Sequence, residues 1–173
     1  MSMIGEYARL TPGELARAFQ DPQWASEYVH ELMETDPQAD ADPDGPAAGQ
    51  PRCLDTDKAW GLLHWLLERA GFPLDIVNGE AGLPGADDWG YGPPGYLTPE
   101  QVATAAAALA ALPGERLVAG VTDAELPAAE LYPSSGPSET AEMLRYALEH
   151  YRALTGYFAA AARDGHAMLL WIS

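Results

Sequence analysis

"DGHAMLLWI", residues 164–172, decides how this chain is to be folded. Asp164-Gly165 is a turn signal, and the short apolar run from His166 to Ile172 behind it reads as a terminal strand. Upstream, about Ser138 to Arg163 carries Met143, Ala147, Tyr151, Leu154 and Phe158 at helical spacing, a long helix feeding that turn. At the other end, Met3 to Leu10 has Ile4, Tyr7 and Leu10 as apolar points and reads as an opening strand. Two end strands side by side with four or so helices between them predict an α+β fold. It would be a single compact domain over residues 1–173, mostly helical, with a small sheet that includes the N- and C-terminal strands.

Between the end strands the helix signals are local. "TPGELARAF" has Thr11 as N-cap, Pro12 in the first turn and Glu14 closing a capping box. A second helix follows Asp21-Pro22 through Trp24, Tyr28, Leu32 and Met33 to about Glu34. "LTPEQV" repeats the first signature with Thr98, Pro99 and Gln101, and its helix runs to Leu112 before Pro113-Gly114. "LDTDKAWGLLHWLLERAG", residues 54–71, starts a helix near Asp55 or Thr56 and ends it at Gly71. Residues 35–52 are rich in Asp, Pro, Gly and Ala with almost nothing apolar to bury, and are expected to form a mobile acidic loop. Phe72 to Tyr96, dense in Gly, Pro and Asp with scattered aromatics, is too long for a featureless connector and should pack over the core.

Composition restricts function by sign of charge. Of 173 residues 47% are hydrophobic, enough for a real core, but nine Lys+Arg stand against 26 Asp+Glu, a formal charge of −17. Such a surface repels phosphate backbones and anionic lipid, which argues against nucleic-acid and membrane partners. A basic protein, a cation or a neutral small molecule stays compatible. The single cysteine, Cys53, excludes an internal disulfide framework and multi-cysteine zinc, and reads as a small buried or half-buried side chain. MSMIGEYARL lacks the pattern of a signal peptide, and no run approaches the roughly 18 apolar residues of a membrane span, so a cytoplasmic chain is expected.

No complete catalytic or cofactor motif occurs. Asp40 to Gly45 (DADPDG) fits the first half of a calcium loop, but the twelfth position is Pro51 where a bidentate Glu is needed, so this is a linker. "GYGPPGYLTPEQ" could wall a pocket, yet no Lys or Arg lies between Arg69 and Arg116 to meet a phosphate, and no cofactor or metal is implied. The helix after Leu54 is richer. At 100° per residue, Ala59, Trp60, Leu62, Leu63, Leu66, Leu67 and Ala70 fill one core arc, while Asp57, Gly61, His64 and Glu68 share an edge about 60° wide. Functionally read, His64 is a general base oriented by Asp57, Asp55 or Glu68, with Lys58 as an electrostatic element and Trp65 as a binding wall. Structurally read, Asp55 or Asp57 caps the helix, and Trp65 packs under the loop carrying Trp89, Tyr91 and Tyr96. A mid-helix glycine costs about 1 kcal/mol against alanine, so Gly61 marks a notch for a backbone or a ligand.

Five segments in one order, "MSMIGEYARLTPGEL", "LDTDKAWGLLHWLL", "GYGPPGYLTPEQV", "LYP" at Leu131 to Pro133 and "GHAMLLWIS", make the chain resemble the YfbM-like family of small bacterial proteins of unknown function. Leu54, Asp55, Asp57, Lys58, Trp60, Leu63 and His64 carry its most distinctive pattern, and the loop around Asp36 to Gln50 looks like an insertion. The resemblance implies a compact α+β domain and carries no catalytic residues across. Charge and the lack of a constellation therefore favour binding over catalysis: an interaction protein docking a basic partner, as an inhibitor or immunity-type protein does. The alternative is a small hydrolase or transferase using His64 with Asp57 or Asp55. A homo-oligomeric structural module is a third reading, and oligomeric state is not legible.

Overall fold

The run Ala167–Ile172 is strand β5, and every one of its residues is buried. It pairs antiparallel with β1 (Gly5–Leu10) in a register that sets Gly5 opposite Ile172, Tyr7 opposite Leu170 and Leu10 opposite Ala167. The expected neighbours, the two end strands, therefore form the centre of the sheet. The computed structural model describes residues 2–35, 51–134 and 136–173, and the acidic segment 36–50, with its half calcium pattern, lies outside them.

In chain order the elements after β1 are α1 (Pro12–Gln20), α2 (Pro22–Thr35), β2 (Cys53–Asp55) and a 3-10 turn (Asp57–Ala59) leading into α3 (Trp60–Arg69). Then follow β3 (Ala81–Gly82), β4 (Gly95–Leu97), α4 (Pro99–Ala110), the single turns α5 (Gly114–Leu117) and α6 (Glu125–Ala128), and α7 (Thr140–Arg163) before β5. The strands lie in the order β2-β1-β5-β4-β3, all antiparallel. The short strands β2, β3 and β4 are not signalled by the sequence pattern; β2 and β4 owe their places to the distant end strands, and β3 closes the far edge against β4. Cys53 sits opposite Ala8, and Gly95 opposite Leu170.

Alternation along the strands splits the core into two layers. Tyr7, Leu54, Leu97, Met168 and Leu170 face α3, α4 and α7, packing with Leu62, Leu66, Leu109, Leu154 and Phe158. Ala8, Leu10, Cys53, Leu169 and Trp171 face α1 and α2, packing with Leu15, Ala18, Ala25 and Val29. Helices on both faces explain why β5 shows no polar alternation: both its sides are covered.

Both capping boxes form. Thr11 Oγ1 accepts from the Glu14 amide while the Glu14 carboxylate accepts from the Thr11 amide, and Thr98 and Gln101 repeat the exchange. Glu14 also pairs with Arg52 at 2.6 Å and hydrogen-bonds the Tyr28 hydroxyl, tying α1, α2 and the start of β2 together. α3 departs from the expectation at its start, beginning at Trp60 and not near Asp55 or Thr56, whereas Gly71, with φ +73°, closes it as expected; Ala70, placed on the core arc, is exposed.

Candidate functional site

Gly61 is where the expected edge of α3 divides. A Cβ built there would lie 2.8 Å from the Tyr132 carbonyl oxygen, so the notch is occupied by backbone from the segment before α7. The Trp60 ring stacks on Tyr132 at 6.0 Å and its indole donates to the Met3 carbonyl, which pins that segment in place. Asp57 and Lys58 lie to one side of this crossing, His64 and Glu68 to the other.

On the Asp57 side the backbone turns sharply. Asp57 has φ +43°, a left-handed conformation that a non-glycine residue adopts only when its surroundings enforce it. The enforcing contacts are visible. Asp55 Oδ1 accepts from the Asp57 amide at 3.0 Å, and the Tyr146 hydroxyl donates to Asp57 Oδ2 at 2.6 Å while accepting from the Lys58 amide at 3.3 Å. Burial, reinforced by the Asp57 carboxylate, pushes the Tyr146 phenol up to about 12, so it stays a donor across the physiological range. Beside it opens a cavity of about 440 Å³ lined by Lys58, Leu62, Pro133, Glu142, Met143 and Tyr146, among others.

On the other side, His64 lines a separate cavity of about 190 Å³ with Glu68, Phe72, Asp75 and Glu80. Its Nδ1 lies 3.6 Å from Asp75 Oδ1 and its Nε2 3.4 Å from Glu68 Oε1. The Asp75 carboxylate raises the imidazole pKa, partial burial opposes this, and Glu68 adds to the rise. Burial alone would push Asp75 up; the imidazole and the amides of Asn78 and Val77 outweigh it and hold the carboxyl well below its usual range. Asp57 is not among the ion-pair partners of His64.

The aromatic candidates also separate. Trp65 is half-buried against the α3–α7 layer with the Arg69 guanidinium 5.8 Å from its ring centre. Trp89 and Tyr96 belong to the opposite layer, so Trp65 does not pack beneath them. Tyr96 meets Phe19 edge-on at 4.9 Å, whereas Tyr91 is 48% exposed and is held through its amide on the Ile172 carbonyl. The loop does lie close to the sheet: Gly90 has φ +136°, and a Cβ there would meet the Ile172 oxygen at 2.7 Å.

Trp89 packs edge-on against Trp171 at 5.2 Å and forms the wall shared by two adjoining hollows of about 600 and 370 Å³. Together they make a groove running from the start of α2 past the Trp89 loop to the end of β5. Its carboxylates are Glu6, Asp21, Asp87 and Asp88, its apolar surface comes from Trp89, Trp171 and Met33, and no Lys or Arg is among the described residues lining it. Burial raises the Glu6 carboxyl pKa, a hydrogen bond from the Ser173 hydroxyl opposes this, and Asp55 adds to the rise.

The family model of the domain of unknown function DUF1877 matches residues 1–171. The chain belongs to this family. It is similar in structure to YfbM from Escherichia coli, a protein of unknown function, with 19% identity, a TM-score of 0.67, and coverage of 98% of this chain and 99% of that one. At that identity the likeness carries the fold alone. No curated protein matches the sequence. In this DUF1877 chain, then, the distinctive segment from Leu54 to His64 serves first to build a sheet edge, a strained turn and a helix. Several groups around it escaped sequence reasoning: Asp75, Tyr132, Tyr146, and the acidic pair Asp87-Asp88. Only Asp75 left a local trace, its Asp-x-x-Asn spacing, which forms a turn here with Asp75 Oδ1 accepting the Asn78 amide at 2.9 Å. The others are brought in by contacts across the chain. Among the described residues no group of three His, Cys, Asp or Glu side chains is arranged to hold a metal ion, and no helix is long and apolar enough to cross a membrane.

Proposed function

We propose that this chain is a binding protein that docks a basic protein segment in the groove beside Trp89. The observation carrying this reading is the groove itself: four carboxylates around an indole surface, with no Lys or Arg among the described residues lining it. Acidic rims raise the encounter rate with basic partners, and a desolvated aromatic floor supplies the contact area that holds them. A cation seated near Glu6 would also relieve the unfavourable ionisation of that half-buried carboxylate. The mode is that of an inhibitor or immunity-type protein closing on a basic partner. The alternative, a hydrolase or transferase built on His64 with Asp57 or Asp55, is less well supported, because His64 lines a different cavity from Lys58 and its neighbouring carboxylates are Glu68 and Asp75.

Fluorescence anisotropy of a labelled peptide of alternating arginine and leucine tests the proposal against a control in which glutamate replaces arginine. The arginine peptide should bind, quench Trp89, and weaken when salt rises from about 0.05 to 0.3 M. The double variant Asp87→Asn/Asp88→Asn should bind roughly tenfold more weakly, as expected for two rim charges worth about 0.5–1 kcal/mol each. Asp123→Asn, an exposed site on the opposite layer, should change little. If Asp123→Asn weakens binding as much as the Asp87/Asp88 change does, attraction to net charge explains the signal and the groove has no special role.

A further inference from the structure

The chain contains one lysine, Lys58. Facing 26 Asp and Glu residues, it would be expected on a solvated ion pair, yet among the described residues its side chain has neither a hydrogen bond nor an ion-pair partner. Instead it lines the 440 Å³ cavity between the 3-10 turn and α7. That volume falls within the range of small-molecule sites. The turn bearing Lys58 is fixed from two directions: Tyr146 bonds both Asp57 Oδ2 and the Lys58 amide, and Asp55 bonds the Asp57 amide. The strained backbone at Asp57 is thereby held in the conformation that presents the next residue, Lys58, to the cavity.

The walls carry both signs of charge over an apolar surface. Glu139, Glu142 and Glu149 stand with Lys58 and Arg145 around Leu62 and Met143. Arg145 is already engaged with Glu142, at 4.0 Å on the exposed rim, which leaves Lys58 as the open cation. A purely anionic ligand would meet three glutamates, and a purely cationic one would meet Lys58. We propose that this cavity binds a small zwitterion, an apolar amino acid or dipeptide, with its carboxylate on Lys58, its ammonium among the glutamates of α7 and the preceding turn, and its side chain over Leu62 and Met143. This site lies on the opposite layer from the Trp89 groove, so either can fail without the other.

Isothermal titration calorimetry on the full chain tests it with L-leucine, L-alanyl-L-leucine, the N-acetylated dipeptide and the dipeptide amide. The expected result is saturable binding of leucine or of the free dipeptide, weakened at least about tenfold by either cap, because each cap removes one paired charge. Lys58→Met should weaken the free dipeptide to the level of the amide while leaving the amide unchanged. Glu142→Gln should weaken the free dipeptide but not its acetylated form. The capped ligands probe the same contacts without altering the chain, so the outcome does not depend on how a variant folds. No saturable binding of leucine or dipeptide up to ~10 mM, well beyond millimolar affinity, overturns the proposal. Equal affinity for the free and capped forms overturns it too, as does a Lys58→Met variant that binds the free dipeptide normally.

Discussion

At Gly61 the tendency of the helix and the demand of packing oppose each other. Alanine in a helix interior is favoured over glycine by about 1 kcal/mol, yet its Cβ would press to 2.8 Å on the Tyr132 carbonyl. Backbone cannot move aside as a flexible side chain can, and overpacking of this kind typically costs about 1–3 kcal/mol. The clash should win, so Gly61→Ala is expected to lower the urea midpoint; a variant more stable than the parent would mean that the Tyr132 segment yields freely. His64 offers a pH test. Its folded pKa is raised above 6.5, so its pairing with Asp75 contributes stability that is full below that value and is lost as pH rises through the folded pKa. With both partners about one-third exposed, solvent screening limits the contribution to roughly 0.5–1 kcal/mol. Urea unfolding of His64→Asn should therefore show a deficit near pH 6 that shrinks at pH values where the native imidazole is neutral. A deficit independent of pH would mean the ring acts through packing.

Among the elements, the capped helices make the cleanest forecast. Removing the Thr98 hydroxyl orphans the Gln101 amide in the first turn of α4, so Thr98→Ala should lose about 1 kcal/mol. In a chain of this size that is ~2–4 °C in thermal midpoint, readable by circular dichroism. The same contrast explains which elements could be read ahead of the structure. A capping box spans four residues, and the apolar run of β5 is self-evident, so α1, α4 and the end strands were legible. β2, β3 and β4 have only two or three residues each; β2 and β4 depend on partners such as Ala8 and Leu170 far along the chain, and β3 on β4. Asp57 could not be placed on a helical wheel, because a tyrosine 89 positions away holds it outside helical geometry. Trp65 and Trp89 were assigned to one cluster for a related reason: periodicity gives a helix its apolar face but not the side of the sheet it covers. The candidate site suffered most from this, since the Lys58 cavity and the acidic groove are assembled from segments distant in sequence, whereas the His64 cavity is local to residues 64–80.

For the molecule as a whole, charge and connectivity set the behaviour. A formal −17 on 173 residues means that repulsion within the folded chain outweighs its few exposed ion pairs. Screening should then stabilise the protein: the thermal midpoint is expected to rise between about 10 and 300 mM sodium chloride, as the Debye length contracts from about 30 Å to below 8 Å. A fall would show that attractive pairs dominate. The placement of β5 between β1 and β4 has a consequence for how the protein is made. On a ribosome, β1 emerges early and waits with its neighbour missing until residues 167–172 have cleared the exit tunnel. Until then the nascent chain can form helices but not its central sheet, and it must keep an open hydrogen-bonding edge from pairing with other chains. The acidic composition offers one protection during that interval, because like-charged nascent chains repel before they can pair. Formation of the sheet should be a late, cooperative event, gated by the arrival of a single strand.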